Sequence, residues 1–318
     1  MTRALVTASA PRGGSRARRF TQAAALLLLL DAAVAGSPAA AHEFWLAPST
    51  YRAAAGDTVA VAAFVGTGFR GERRPYAPSR VAALTLHAAR TLDLAQAAVP
   101  GQSALARFVA ADSGGAVVAY LSRFAALTQA DSAFDAYLAL EGLDAALAAR
   151  ARSRAGANAR QQTSNPSRGS RGAAGAAPPG FVRERYRRCA KSWIAGSDPA
   201  RALRPVGLPL EIVPLAPPGS APAFELRVLF EGAPLEGALV RAWRAALGSD
   251  GRPTDAAARD STGAVAEART DAQGNATLAV ATPGEWLVGV VHMIPSRDPV
   301  AADWESNWAS LTFATNAR

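Results

Sequence analysis

Cysteine is almost absent from this 318-residue chain. Cys189 stands alone, so no internal disulfide can staple the fold, and stability must come from a buried core, which a chain of this length can build. Lysine is equally scarce, with Lys191 the only one. The arginine bias fits a GC-rich coding sequence more readily than a special guanidinium chemistry. Histidine occurs three times, at His42, His87 and His292, so any imidazole site must draw on these positions. Several motifs are missing altogether: no G-x-S-x-G elbow, no H-E-x-x-H, no phosphate loop and no dinucleotide G-x-G-x-x-G. No carboxylate pair is recognisable as a glycosidase couple. The chain therefore reads as a binding protein rather than an enzyme, with no organic cofactor expected.

Excess positive charge is present but localised. The net charge is +9. Residues 1–41 hold Arg3, Arg12, Arg16, Arg18 and Arg19 against Asp31, and ten arginines with one acid, Glu184, fall between Arg150 and Arg188. The rest of the chain is mildly acidic. A basic stripe along a helix or an aromatic sheet face, the footprint of nucleic-acid readers, is missing, so no nucleic-acid partner is expected.

The stretch "RARRFTQAAALLLLLDAAVAGSPAAA" has a basic start, an apolar run from Ala23 to Leu30, helix breakers at Gly36 and Pro38, and an A-x-A ending at Ala41. Signal peptidase reads this pattern. The apolar run is too short for a membrane span of about 20 residues, and no later stretch is apolar enough. The expectation is a cleaved signal peptide over 1–41 and a periplasmic or secreted mature protein without a transmembrane segment. Arg18 and Arg19 before Phe20 faintly resemble a twin-arginine signal, while general secretion fits better.

Beyond the leader the chain reads as mainly β, in two antiparallel β-sandwich-like domains with a helical and disordered insertion in the first. The first domain is expected over 42–205. "HEFWLAPSTY", "GDTVAVAAFVGTGF", "RVAALTLHAAR" and "GAVVAYLSRF" alternate as strands between turn residues. "DSAFDAYLALEGLDAALAAR" has helical period and predicts a helix over 131–150, with Glu141-Gly142 a point of kink or break. Residues 151–180, rich in Arg, Gly, Ser and Pro, predict a disordered loop. In "FVRERYRRCAKSWI" a helix face and an extended strand fit about equally. The second domain, over 206–318, resembles a small transthyretin or carboxypeptidase-regulatory sandwich. Its "TDAQGN" has too few carboxylates for a calcium loop and reads as a turn.

Cleavage after Ala41 would leave His42 with a free amine beside its imidazole, one bidentate chelate for nickel, cobalt or copper. His292, on an apolar strand in "WLVGVVHMIP", is the better second ligand, although a hydrogen-bonded core histidine fits it too. His87, the third candidate metal ligand, is expected on an exposed face. Asp303 and Glu305 could add oxygen ligands, and Trp45, Trp243, Trp286, Trp304 and Trp308 could serve a carbohydrate surface or fill the core. Cys189 reads as a small buried residue, though the neighbouring Arg187, Arg188 and Lys191 would activate an exposed thiol.

Taken together, "AHEFWLAPSTYRAAAGDTV", "FVGTGFRGE", "FDAYLALEGL", "RERYRRCAKSWI", "LEIVPLAPPG", "PGEWLVGVVHM" and "DWESNWASLTF" resemble the family of domain of unknown function 4198. Its members are often described as periplasmic components of nickel or cobalt transport. The resemblance implies an exported two-part β protein that handles a transition metal beside an inner-membrane permease, with His42 and His292 as matching candidate ligands. It supplies no catalytic set. The alternative is a metal-free β-sandwich module that binds carbohydrate or an envelope protein.

Overall fold

The computed structural model describes residues 42–163, 178–260 and 262–315. The leader expected over 1–41 lies outside them, and Ala39–Arg318 forms one compact unit.

The first strands fall where alternation places them. β1 (Glu43–Pro48) pairs antiparallel with β2 (Thr58–Thr67), and β3 (Arg70–Arg74) returns against β2 through a turn in which Gly68 and Phe69 both take positive φ. β4 (Val81–His87), β5 (Thr91–Asp93), β6 (Ala106–Val109) and β7 (Ala116–Ser122) follow. β6 joins β2, whereas β4 lies between β5 and β7 in a different sheet.

After β8 (Ala125–Ala130) come α1 (Asp131–Leu140) and α2 (Asp144–Thr163). The helix expected over 131–150 is two helices, divided at the Glu141-Gly142 break that the sequence marks. Gly142 takes φ +64°, its N–H bonds Ala139 O and the Leu143 N–H reaches Leu138 O. This is the Schellman ending that glycine favours, and its Leu138–Leu143 pair is buried. The disordered loop expected from 151 is also corrected, because α2 continues to Thr163. Its Ala, Arg and Gln are good helix formers even without an apolar stripe. Arg150 and Arg154, one turn apart, clamp Asp131 and Asp135 of α1 at 2.5–3.0 Å. Residues 164–177 of the expected loop lie outside the described residues.

"FVRERYRRCAKSWI" is a strand, β9 (Phe181–Ile194). The remaining strands are β10 (Leu210–Pro214), β11 (Ala223–Phe230), β12 (Ala233–Pro234), β13 (Leu239–Ala245), β14 (Ala266–Arg269), β15 (Asn275–Ala279), β16 (Gly284–Pro295) and β17 (Trp304–Thr315). The "TDAQGN" segment is a turn into β15, with Asp271 Oδ1 accepting from the N–H groups of Gln273 and Asn275.

The architecture is mainly β, as the sequence predicts. A nine-stranded sheet runs β14-β13-β16-β17-β9-β7-β4-β5, with β8 also on β9; β1, β2, β3 and β6 make a second sheet, and β10, β11, β12 and β15 a third. Strands from both sides of the expected 205/206 boundary meet in the large sheet, where β17 runs parallel to β9. The two sandwiches therefore share a layer. On one face, β10, β11 and β15 bury Leu210, Ile212, Phe224, Leu226 and Val228 against β9, β13, β16 and β17. On the other, β1 and β2 bury Leu46, Val59 and Val61 against β4, β7 and β9, while Trp45 packs towards Trp243 and Leu287. At the far end of this second face, α1 and α2 cover Val291, Met293 and Trp304.

Candidate functional site

The three histidines do not converge. His42 is exposed immediately before β1 and lines an open cleft with Thr67, Arg70, Glu72 and Arg74. His292 projects from β16 to the opposite face of the large sheet, edge-on to Phe230 with ring centroids 4.4 Å apart. Burial lowers its pKa, opposed by Glu231. The sheet itself separates it from His42. His87, expected to be exposed, is half-buried; its Nε2 lies 2.9 Å from Thr85 Oγ1 and its Nδ1 3.4 Å from Thr91 Oγ1, and burial lowers its pKa. Three strands, β7, β9 and β17, intervene between His87 and His292, a separation of about 19 Å at the usual strand spacing. A shared site built from these three residues is thus not formed. Among the described residues no group of three or more His, Cys, Asp or Glu is placed to hold a metal.

Two other expected oxygen ligands are occupied. Arg183, Arg185 and Arg187, on one side of β9, meet Asp303, Glu305 and Asn307 at or beside the parallel β17, with contacts of 2.8, 2.6 and 2.5 Å. The five tryptophans do not form a carbohydrate platform: Trp45, Trp243, Trp286 and Trp304 are buried. Trp308 is sandwiched between Tyr137 and Arg188. Cys189 is buried, and burial pushes its thiol up to about 11.

The other side of β9 carries a different chemistry. Glu184, Tyr186 and Arg188 alternate towards the face on which β1 and α1 lie. Glu184 is buried, accepts a short hydrogen bond from the Ser306 hydroxyl and lies 3.4 Å from the Tyr137 hydroxyl; burial nevertheless raises its pKa to about 7. The Arg188 guanidinium lies 4.5 Å from the Trp308 ring centroid and 5.1 Å from that of Tyr186. Its Nη1 is buried with no hydrogen-bond partner among the described residues.

Beside Trp308 a narrow cleft opens between the start of β1, the end of α1 and strands β13, β16 and β17, lined by Glu43, Glu141, Arg241, Trp243 and Ser310. Its enclosed volume, about 20 Å³, has room for one water-sized guest. Arg241 reaches Glu141 at 2.9 Å and Glu267 at the same distance, which neutralises one wall. Glu43 Oε2 and Ser310 Oγ are both buried and, like Arg188 Nη1, unpartnered. Burial first, and the neighbouring Glu141 second, raise the Glu43 carboxyl to about 7 despite its own backbone hydrogen bond and Arg188. A buried polar atom left without a partner costs about 1–3 kcal/mol, and one water in the cleft has the size to meet Glu43 Oε2 and Ser310 Oγ.

Sequence reasoning missed this seam. Glu43, Glu184 and Arg188 look like the solvent-facing half of alternating strands. They are covered because β1 and α1 lie over β9 and β17, β1 anchored by the Thr312 hydroxyl on Leu46 O at 2.7 Å and α1 by Tyr137 beside Glu184. The available signal was the "RERYRR" run, which puts charge on both faces of one strand and is incompatible with an ordinary half-buried edge.

A family model described as Domain of unknown function (DUF4198) matches residues 39–294, and the chain belongs to that family. No curated protein matches. A solved structure titled "D0-D1 domain of Intimin" aligns over 86% of this chain and 98% of its own at 12% identity, with a TM-score of 0.17. At that score the likeness carries no argument about fold or function.

Proposed function

We propose that this family member is an exported, non-catalytic protein that binds one transition-metal ion, nickel, cobalt or copper, through the amine and imidazole of a His42 N-terminus, and works beside an inner-membrane permease. The observation that carries the reading is the placement of His42: exposed at the entrance to β1 beside an open cleft, while the other two histidines sit elsewhere in the fold. Two further boundaries support release of that amine. The family match and the compact unit both begin at residue 39, close to the A-x-A ending at Ala41. With neither His87 nor His292 in reach, the chelate keeps open coordination positions, which suits transfer to a partner. No helix of the described residues is long and apolar enough to cross a membrane, so such a partner would supply the membrane passage.

Calorimetric titration with each metal tests this on protein beginning at His42 and on the same protein with one alanine added in front. One equivalent bound by the first and lost in the second, and in His42→Ala, is the expected result. Equal binding by both forms, or none by either, removes the N-terminal chelate from consideration.

A further inference from the structure

The open end of the first sandwich has a cavity of a different kind. Between the β4–β5 hairpin, β6 and the start of β7 lies a pocket of about 320 Å³, within the range of small-molecule sites. Leu86, Phe108 and Ile194 form its floor, continuous with the buried core of this half. The space exists because the walls are made of small side chains, Ala53, Ala88 and Ala116 among them. Leu92 and Val109 line the pocket yet remain 37% and 61% exposed, so apolar surface continues to the mouth.

Polar groups at the rim are asymmetric in charge. Asp112 is held by both Arg201 Nη atoms at 2.7 and 3.1 Å, and the Gly114 N–H also donates to it. Arg90 also lines the pocket; it is exposed, and its guanidinium has no hydrogen bond or ion pair among the described residues. Arg201 also meets Asp198 at 3.2 Å, so Asp112 is held in a closed cluster, and Arg90 is the unpaired cation that lines the apolar cavity. A ligand that matches both features has an alkyl tail and an anionic head.

We propose that this pocket binds a free single-chain anionic amphiphile, its tail against Leu86, Phe108 and Ile194 and its head on Arg90. The site is on a different part of the molecule from His42 and does not depend on metal. The tail is buried by the hydrophobic effect, and the exposed head pairing sets preference more than affinity.

The test is calorimetric titration with decanoate below its micellar concentration, with decanol as the neutral control, in the presence of a chelator. Flotation with phosphatidylglycerol vesicles is the membrane control. One equivalent of decanoate is expected to bind, with no vesicle flotation. Ala88→Phe fills the cavity and should weaken decanoate at least tenfold, with Ala110→Leu as a second filling variant if circular dichroism shows the first unfolded. Arg90→Glu should weaken decanoate about threefold and leave decanol unchanged. Failure to bind decanoate, undiminished binding in a folded filling variant, or equal binding of decanol and decanoate by the native protein overturns the proposal. Vesicle flotation without decanoate binding would assign the patch to a membrane surface instead.

Discussion

The two faces of β9 bury charge in opposite ways. On the face covered by β10 and β11, Lys191 and Glu211 are each 2% exposed and meet at 2.8 Å. Glu211 also accepts the N–H groups of Val206, Gly207 and Leu208 at 2.7–3.2 Å. The two charges satisfy each other, and the pair ties the large sheet to the loop entering β10. On the face covered by β1 and α1, Glu43, Arg188 and Ser310 each leave a buried polar atom open, and the pKa values of both Glu43 and Glu184 rise to about 7. The contrast is between a closed ion pair and polar atoms that the fold itself leaves unmet.

The satisfied pair should show the largest mutational effect. Lys191→Met leaves Glu211 ionised in the core, and breaking a buried pair in this way costs about 3–5 kcal/mol. The three backbone donors keep the loss near the lower end. Urea unfolding measures it, and adding Glu211→Gln should recover part, because the stranded charge is then removed. A loss below about 1 kcal/mol would place this pair with surface salt bridges and erase the distinction between the two faces.

Glu184 should show a smaller effect that depends on pH. Its folded pKa, about 7, lies above the ordinary glutamate value of 4.5, so between these values the folded protein holds more protons than the unfolded one. Stability from this group is fully present below about pH 4.5 and is lost as pH rises through 7. The difference is about 3 kcal/mol. Glu184→Gln should flatten the decline in stability between pH 5 and 8 and melt above the native protein at pH 8. An unchanged slope would mean that Ser306 and Tyr137 already stabilise the ionised carboxylate.

The strands were legible because alternation and turn residues survive in a single sequence. β1 ends at Pro48, and β2, β4 and β7 lie within the stretches that alternation marks. What was not legible depends on pairing between distant segments. α2 lacks an apolar stripe, and its extension past Arg150 is supported by contacts to Asp131 and Asp135 that no local window contains. Likewise Asp303 and Glu305 look available as metal ligands until β17 is known to run beside the arginines of β9. His42 was singled out by a cleavage pattern, Glu43 by nothing in its neighbourhood, although the two are adjacent. Only the crossing of β1 over the large sheet gives the second residue its burial.

Ser310 offers the finest test of the contrast, since its effect should be close to zero. It is 5% exposed, and its hydroxyl has no hydrogen-bond partner among the described residues. If the hydroxyl serves the fold, Ser310→Ala should cost about 1 kcal/mol, as the loss of an ordinary hydrogen bond does. If it is held open for a guest, the alanine should be neutral or slightly stabilising in unfolding experiments without ligand, because an unmet buried polar group has been removed. The same substitution should then weaken any ligand that enters the Glu43 cleft. A neutral stability effect together with weakened binding is the signature of an orphan atom with a function; a stability loss of about 1 kcal/mol would mean that the fold already satisfies it, for instance through a fixed water.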